Sequence, residues 1–145
     1  MADITGDNGD NVLAGTDEDD KILGRGGDDT INAGAGSDVV NGGQGSDTLN
    51  GQADDDTIIG GEGDDLLVGG SGDDRLVANT GDDTLLGGNG NDYLGGGEGD
   101  DTLNGGADDD QLFGGTGDDQ LIGGTGDDRL HGDADNDTLA GGDGN

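Results

Sequence analysis

A large aliphatic residue, Leu, Ile or Val, returns at every ninth position from Leu13 to Leu139 without a slip. Counted from Gly6, the chain divides into fifteen nine-residue blocks with no insertion or deletion. They run from GDNGDNVLA (6–14) through GGQGSDTLN (42–50), GGEGDDLLV (60–68) and GGSGDDRLV (69–77) to GDADNDTLA (132–140). Residues 1–5 extend the register backwards, with Ile4 in the aliphatic place, and GGDGN (141–145) is a partial final turn. Self-similarity at a fixed period marks a stacked repeat, so residues 6–140 are predicted to build one array.

The remaining positions say what each repeat is. The sixth is Asp in fourteen blocks, with Asn11 the exception. The first is Gly in thirteen, with Ala33 and Ala78 in its place, and the fourth is Gly in eleven, replaced by Glu18, Asp54, Asp108 and Asp135. Glycine at such positions lets the backbone take positive φ and pack closely. One aliphatic residue in nine is too sparse for a helical stripe, but it suits a short strand whose two neighbours point the other way. Each block therefore reads as a six-residue turn followed by a three-residue strand. Two blocks make an 18-residue coil, flattened so that the aliphatic side chains of its two strands meet inside. Successive coils would stack about 4.8 Å apart, giving a rod roughly 36 Å long.

Composition alone argues for disorder. Hydrophobic residues are 26% of the chain, with 38 Gly, one Phe, one Tyr and no Trp. That is too little apolar surface to offset the entropy of ordering the backbone. The order of the repeat overrides this default, and the charge shows what must accompany folding. Acids number 36 against 4 bases, a formal −32, and only Asp3 lies outside the first six positions of a block. Stacking lines these carboxylates along both edges of the coil, where they repel one another unless cations intervene. Nucleic acid and anionic membranes need a basic footprint and are excluded as partners. No apolar run exceeds three residues, so no membrane insertion is expected. There is no Cys and a single His, His131, which excludes thiolate and multi-imidazole metal sites. Residues 1–10 are acidic and lead into no apolar stretch, so they read as neither signal nor transit peptide.

The blocks resemble the RTX (hemolysin-type) nonapeptide G-G-x-G-x-D-x-U-x, with U a large aliphatic residue, over residues 6–145. The resemblance implies an all-β fold, a right-handed parallel β-roll (β-solenoid) with two short strands and two Gly/Asp turns per 18-residue coil. It also implies calcium (Ca2+) held between one turn and the turn 18 residues later. The first turn gives the carbonyls of its second and fourth positions and its sixth-position Asp; the next gives the carbonyls of its first and third positions and its own Asp. The implied carboxylates are Asp20, Asp29, Asp38, Asp47, Asp56, Asp65, Asp74, Asp83, Asp92, Asp101, Asp110, Asp119, Asp128 and Asp137. One site takes the carbonyls of Gly43 and Gly45 with those of Gly60 and Glu62; its neighbour takes Gly61 and Gly63 with Ala78 and Thr80. The corresponding carbonyls of other turns are those of Gly69, Gly70, Ser71 and Gly72, of Gly87, Gly88, Asn89 and Gly90, and of Gly96, Gly97, Glu98 and Gly99. Calcium takes about six to eight oxygens and accepts carbonyls beside carboxylates, whereas magnesium demands a tighter octahedron and keeps its waters. Up to roughly fourteen ions fit if every adjacent pair of turns binds. About a dozen sound sites would bring about +24 against the −32 of the chain. An unfolded metal-free state and a folded calcium-bound state are expected.

Family members of this kind are exported by type I secretion and fold outside the cytosol, which implies an extracellular setting. The chain shows no toxin, protease or lipase segment and no non-repetitive C-terminal cap, and it stops inside a turn at Asn145. Uncapped ends predict end-to-end self-association. The first two turns depart most from the pattern and are expected to fray. Three turns, 53–56, 107–110 and 134–137, put Asp where Gly is expected, either as a left-handed turn variant or as an extra ligand. Thr30, Thr48, Thr84, Thr102 and Thr138 fall on one outward face, beside Asn32, Asn50 and Asn104, with Val12, Leu66 and Gln120 interrupting. That ladder reads as β-propensity on a solvated face or, alternatively, as an ice-binding or adhesive surface on the same scaffold. Lys21, Arg75 and Arg129 fall on the opposite sheet, offsetting the charged edges or discouraging edge pairing, and Tyr93 and His131 read as exposed residues there. No Ser–His pair and no two carboxylates in distinct environments appear, so no enzyme is expected.

Overall fold

The aliphatic place of each block centres a strand. In the computed structural model, which describes residues 1–144, β1 (Asp3–Thr5) and β2 (Val12–Ala14) are three residues long. From β3 (Lys21–Gly26) a six-residue strand recurs every nine residues to β16 (Thr138–Asp143). Asn145, the end of the partial final turn, lies outside the described residues. Among the described residues there are sixteen strands and no helix, so no helix crosses a membrane. Odd-numbered strands form one eight-stranded parallel sheet and even-numbered strands the other. Each strand pairs with the strand one coil away in a constant 18-residue register: Leu85 lies opposite Leu67 and Leu103, and Ile58 opposite Val40 and Leu76. The chain is an all-β solenoid of about eight stacked coils.

The division within a block differs from expectation. Strands take six residues and turns three, because the parallel ladder runs on through the glycine pair: Arg25 stays opposite Gly43, and Gly26 opposite Gln44. From β3 onward every coil bends at the same residues, so neighbouring coils stay superposable and keep their pairing through the bend. Gly61 shows why the position is small. Its φ is 137°, and a Cβ there would collide with the carbonyl of Gly43 in the coil before. The same left-handed region is occupied by Arg25, Gln52 and Asn79 at the second position of their blocks, and by Asp54, Asp108 and Asp135 at the fourth.

The core is a double file of eighth-position side chains, one from each sheet, running from Ile22 to Leu121 at 0–1% exposure. Ala33 and Ala78 are the other fully buried apolar residues, and Ile4, Leu13 and Leu130 are partly buried against the file. Each buried aliphatic contributes about 1.5–3 kcal/mol, which at two per coil is a thin core.

The two outer faces differ. On the even-numbered sheet Thr30 lies beside Thr48 and Thr84 beside Thr102, but Leu66 separates the pairs and Gln120 stands between Thr102 and Thr138. On the other sheet the guanidinium of Arg75 lies 4.3 Å over the Tyr93 ring, Tyr93 is 5.3 Å from Phe113, and Phe113 stacks on His131 at 4.9 Å. Tyr93 is thus half-buried rather than exposed, while His131 is exposed. A Cβ on Gly95 would make only ordinary contact with the edge of the tyrosine ring. Gly95 leaves a depression of about 390 Å3 between Val77 and Phe113.

Candidate metal centres in the turns

Three-residue turns bring the sixth-position Asp of each block against the coil edge. From Asp20 to Asp119 these residues are 1–3% exposed; Asp128 and Asp137 are half-buried. One carboxylate oxygen is committed. The N–H of Asp29 donates to Oδ1 of Asp47 at 2.8 Å, that of Asp47 to Asp65 at 2.8 Å, and that of Asp65 to Asp83 at 2.7 Å. The other edge repeats the ladder, with Asp56 donating to Asp74 and Asp74 to Asp92, both at 2.8 Å. The second oxygen has no partner. Oδ2 of every such Asp from Asp29 to Asp128 is buried and accepts no hydrogen bond. A buried ionised oxygen in that condition is costly, and twelve on one molecule, six along each edge, demand a partner.

Main-chain oxygens share the gaps those carboxylates face. Second- and fourth-position carbonyls point forward: a Cβ on Gly61 or Gly63 would strike the carbonyl of Gly43 or Gly45, and one on Gly88 or Gly90 that of Gly70 or Gly72. The carbonyls of Asn79 and Gly81 stand in the same way before Gly97 and Gly99. Third-position carbonyls point back, accepting the N–H of Gly45 at Glu62 (2.8 Å), of Gly63 at Thr80 (2.9 Å), of Gly72 at Asn89 (2.9 Å) and of Gly81 at Glu98 (2.9 Å). First-position carbonyls also face back: that of Ala78 lies 3.0 Å from a Cβ built on Gly60, and that of Gly105 lies 2.6 Å from one built on Gly87. Two turns 18 residues apart therefore direct carbonyl and carboxylate oxygens into one space.

Electrostatics agree with a place for a cation. Burial pushes the carboxyls of Asp56, Asp65, Asp92 and Asp101 up to about 7 and those of Asp47, Asp74 and Asp110 up to about 6. The donated N–H pulls each of them back in part, and neighbouring carboxylates push further up. Among the described residues no group of three or more His, Cys, Asp or Glu side chains converges on a point. A metal here would be held largely by main-chain oxygen, as suits a hard cation of high coordination number.

The second turn of the array behaves differently. Oδ2 of Asp20 accepts the N–H and hydroxyl of Thr16 at 2.7 and 2.8 Å. Burial raises the Asp20 carboxyl, but hydrogen bonds from Ala2 and Thr16 outweigh it and hold it below the usual range. Block pattern alone does not distinguish Asp20 from the other thirteen aspartates; Thr16 at the second position is the signal that does. The fifth-position aspartates, which the sequence lines along the same edges, form a second row that its pattern does not separate from the first. Fifth-position Asp28, Asp64, Asp82 and Asp100 are exposed and accept the N–H of Ser46, Asp82, Asp100 and Asp118 in the coil after them, at 2.8–3.0 Å.

The RTX calcium-binding nonapeptide repeat, a family description spanning four copies, matches residues 5–40, 34–67, 41–76, 68–103, 96–121 and 113–145. No match is found among curated proteins. Overlapping matches across nearly the whole chain, on a solenoid whose turns converge oxygen atoms, place it plainly: the chain belongs to the RTX calcium-binding nonapeptide repeat family and is a calcium-binding repeat module.

Proposed function

We propose that this chain is a calcium-dependent folding module of a secreted protein, disordered without calcium and rolled up when calcium fills the gaps between turns. The observation that carries the reading is the two rows of six buried Oδ2 atoms, one along each edge, without a partner. Asp47 and Asp65 with the carbonyls of Gly43, Gly45, Gly60 and Glu62 form the type site. Asp65 and Asp83 with Gly61, Gly63, Ala78 and Thr80 form the next, and the pattern repeats along both edges. Bound calcium supplies positive charge and a high coordination number; the chain supplies oxygens of fixed spacing and excludes water from the inner row. The thin core supports the dependence on metal, since two aliphatic residues per coil leave much of the ordering cost to be offset by binding. An affinity of about 10⁻⁴–10⁻³ M suits the extracellular setting that family membership suggests.

The test is far-UV circular dichroism during a calcium titration, with magnesium as control. A cooperative change from coil to β with calcium alone is the expected result. A β signal of full size in excess chelator at neutral pH would overturn the folding switch.

A further inference from the structure

The first position of each block faces the inside of the gap. A Cβ built on Gly60 falls closer to Oδ2 of Asp65 than any nonbonded contact permits, and 3.0 Å from the carbonyl oxygen of Ala78 one coil on. On Gly87 it falls equally close to Oδ2 of Asp92 and 2.6 Å from the carbonyl of Gly105. At Gly87 such a point stands from both oxygens at about the distance of a metal–oxygen bond, and at Gly60 it lies somewhat farther from the carbonyl. Glycine at this position thus keeps open the space between the unpartnered carboxylate oxygen and the next coil's carbonyl.

Two blocks do not keep it open. Ala33 and Ala78 carry a methyl group there, and both are fully buried. The aspartates of the same turns, Asp38 and Asp83, retain a buried Oδ2 with no hydrogen-bond partner. The methyl group fills the cradle without satisfying the oxygen.

We infer that Ala33 and Ala78 close their gaps to calcium, so that each edge of the array is loaded as two separate segments. The inference rests on the calcium reading above and adds which gaps are excluded. Ala78 blocks the gap between turns 78–83 and 96–101 on one edge, and Ala33 the gap between turns 33–38 and 51–56 on the other. Each interruption lets one segment bind or release calcium without its neighbour across the break.

A merely structural role gives the opposite expectation. Replacing a buried alanine by glycine removes apolar contact and frees the unfolded chain, so more calcium would be needed to fold the variant. The full chain carrying Ala33→Gly and Ala78→Gly together is titrated with calcium by calorimetry and circular dichroism, beside the wild type and Gly60→Ala. The double variant should bind about two more ions per chain than the wild type and fold at lower calcium. Gly60→Ala should bind about one fewer while reaching the same β signal at saturating calcium. Equal stoichiometry in the double variant, with an equal or higher midpoint, overturns the inference, as does an unchanged stoichiometry in Gly60→Ala. A wild type that binds no calcium would instead overturn the function itself, and the wild-type titration alone shows which has failed.

Discussion

Two rows of carboxylates run along each edge of the solenoid, one residue apart in sequence, and their situations are opposite. The sixth-position row is buried and accepts N–H groups from the coil before; the fifth-position row is exposed and accepts them from the coil after. Residue type and hydrogen bond are the same in both. What differs is solvent. The spare oxygen of Asp64 is open to solvent, while that of Asp65 is buried without a partner. The comparison teaches that desolvation, rather than the number of acids, sets apart the row proposed to bind calcium.

The largest effect should come from removing one member of each row in the same turn. Asp65 faces two gaps, so Asp65→Ala should lower calcium affinity on the order of 10- to 100-fold for the affected ions and raise the calcium midpoint of folding. Asp64→Ala removes a solvated acceptor for the N–H of Asp82 and should change stability by about 0.5 kcal/mol or less. Calcium titrations of both variants, followed by circular dichroism, check the contrast. Equal losses would mean that both rows ligate.

The period of the repeat made the solenoid legible in advance. Leu13 to Leu139 at nine-residue spacing fixes two inward strands per coil, and the registers Leu67–Leu85 and Val40–Ile58 follow from it. Strand length was less legible. Positive φ at Gly43 or Gly61 reads as a turn in one chain, yet identical bends in stacked coils leave the ladder intact. The sixth-position aspartates were visible as a row, but nothing in their spacing tells Oδ1 from Oδ2, or shows that Thr16 occupies the spare oxygen of Asp20. Nor could an unaligned sequence bring Arg75, Tyr93, Phe113 and His131 into one stack, since that depends on which outward column each side chain leans towards.

Acidity separates the two rows next. Burial raises the carboxyls of Asp56, Asp65, Asp92 and Asp101 to about 7 in the metal-free roll, against 3.8 for an ordinary aspartate. Between pH 4 and 7, roughly, the roll then binds more protons than the unfolded chain, so its metal-free stability is greatest at the acid end and is lost as pH rises through about 7. Acidifying calcium-free protein from about pH 7.5 to about 4.5 should therefore increase its β signal. Calcium affinity should fall over the same range, because protons and calcium compete for the same inner oxygens. Circular dichroism against pH, with and without calcium, reads both trends; a metal-free β signal that falls on acidification would contradict the burial of the inner row.

A smaller effect is expected at the second position, whose carbonyl belongs to the same gaps as the inner row. Arg25, Gln52 and Asn79 hold φ near 90° there, where side chains are strained. Replacing each by Gly should relieve about 1–2 kcal/mol for Arg25 and Gln52 and less for Asn79, since Asn tolerates the left-handed region better. Set against this is the added freedom that glycine gives the unfolded chain. A net gain in thermal stability at saturating calcium, ranked Arg25 and Gln52 above Asn79, would show that the strain is local and does not shape the metal sites. A loss at Arg25→Gly would show instead that its side chain, whose charge adds to the hydrogen bonds from Gly9 and Asn11 in lowering the Asp7 carboxyl, contributes more than its backbone costs.

The smallest effect tests whether the outer row needs charge at all. The array already contains the answer in part: Asn91 stands in the fifth position, and its Oδ1 accepts the N–H of Asp109 at 3.1 Å as an aspartate would. Asp82→Asn keeps an acceptor for the N–H of Asp100 and removes one of a line of like charges. The variant should match the wild type within about 0.5 kcal/mol, with calcium stoichiometry unchanged and any shift towards greater stability at low salt, where repulsion along the edge is least screened. The same change one residue on, Asp83→Asn, removes charge from a buried carboxylate of the gap it shares with Asp65 and should weaken calcium binding there. If the two asparagine variants behaved alike, the division between a solvated row and a metal-facing row would fail at the turn where the two aspartates are adjacent.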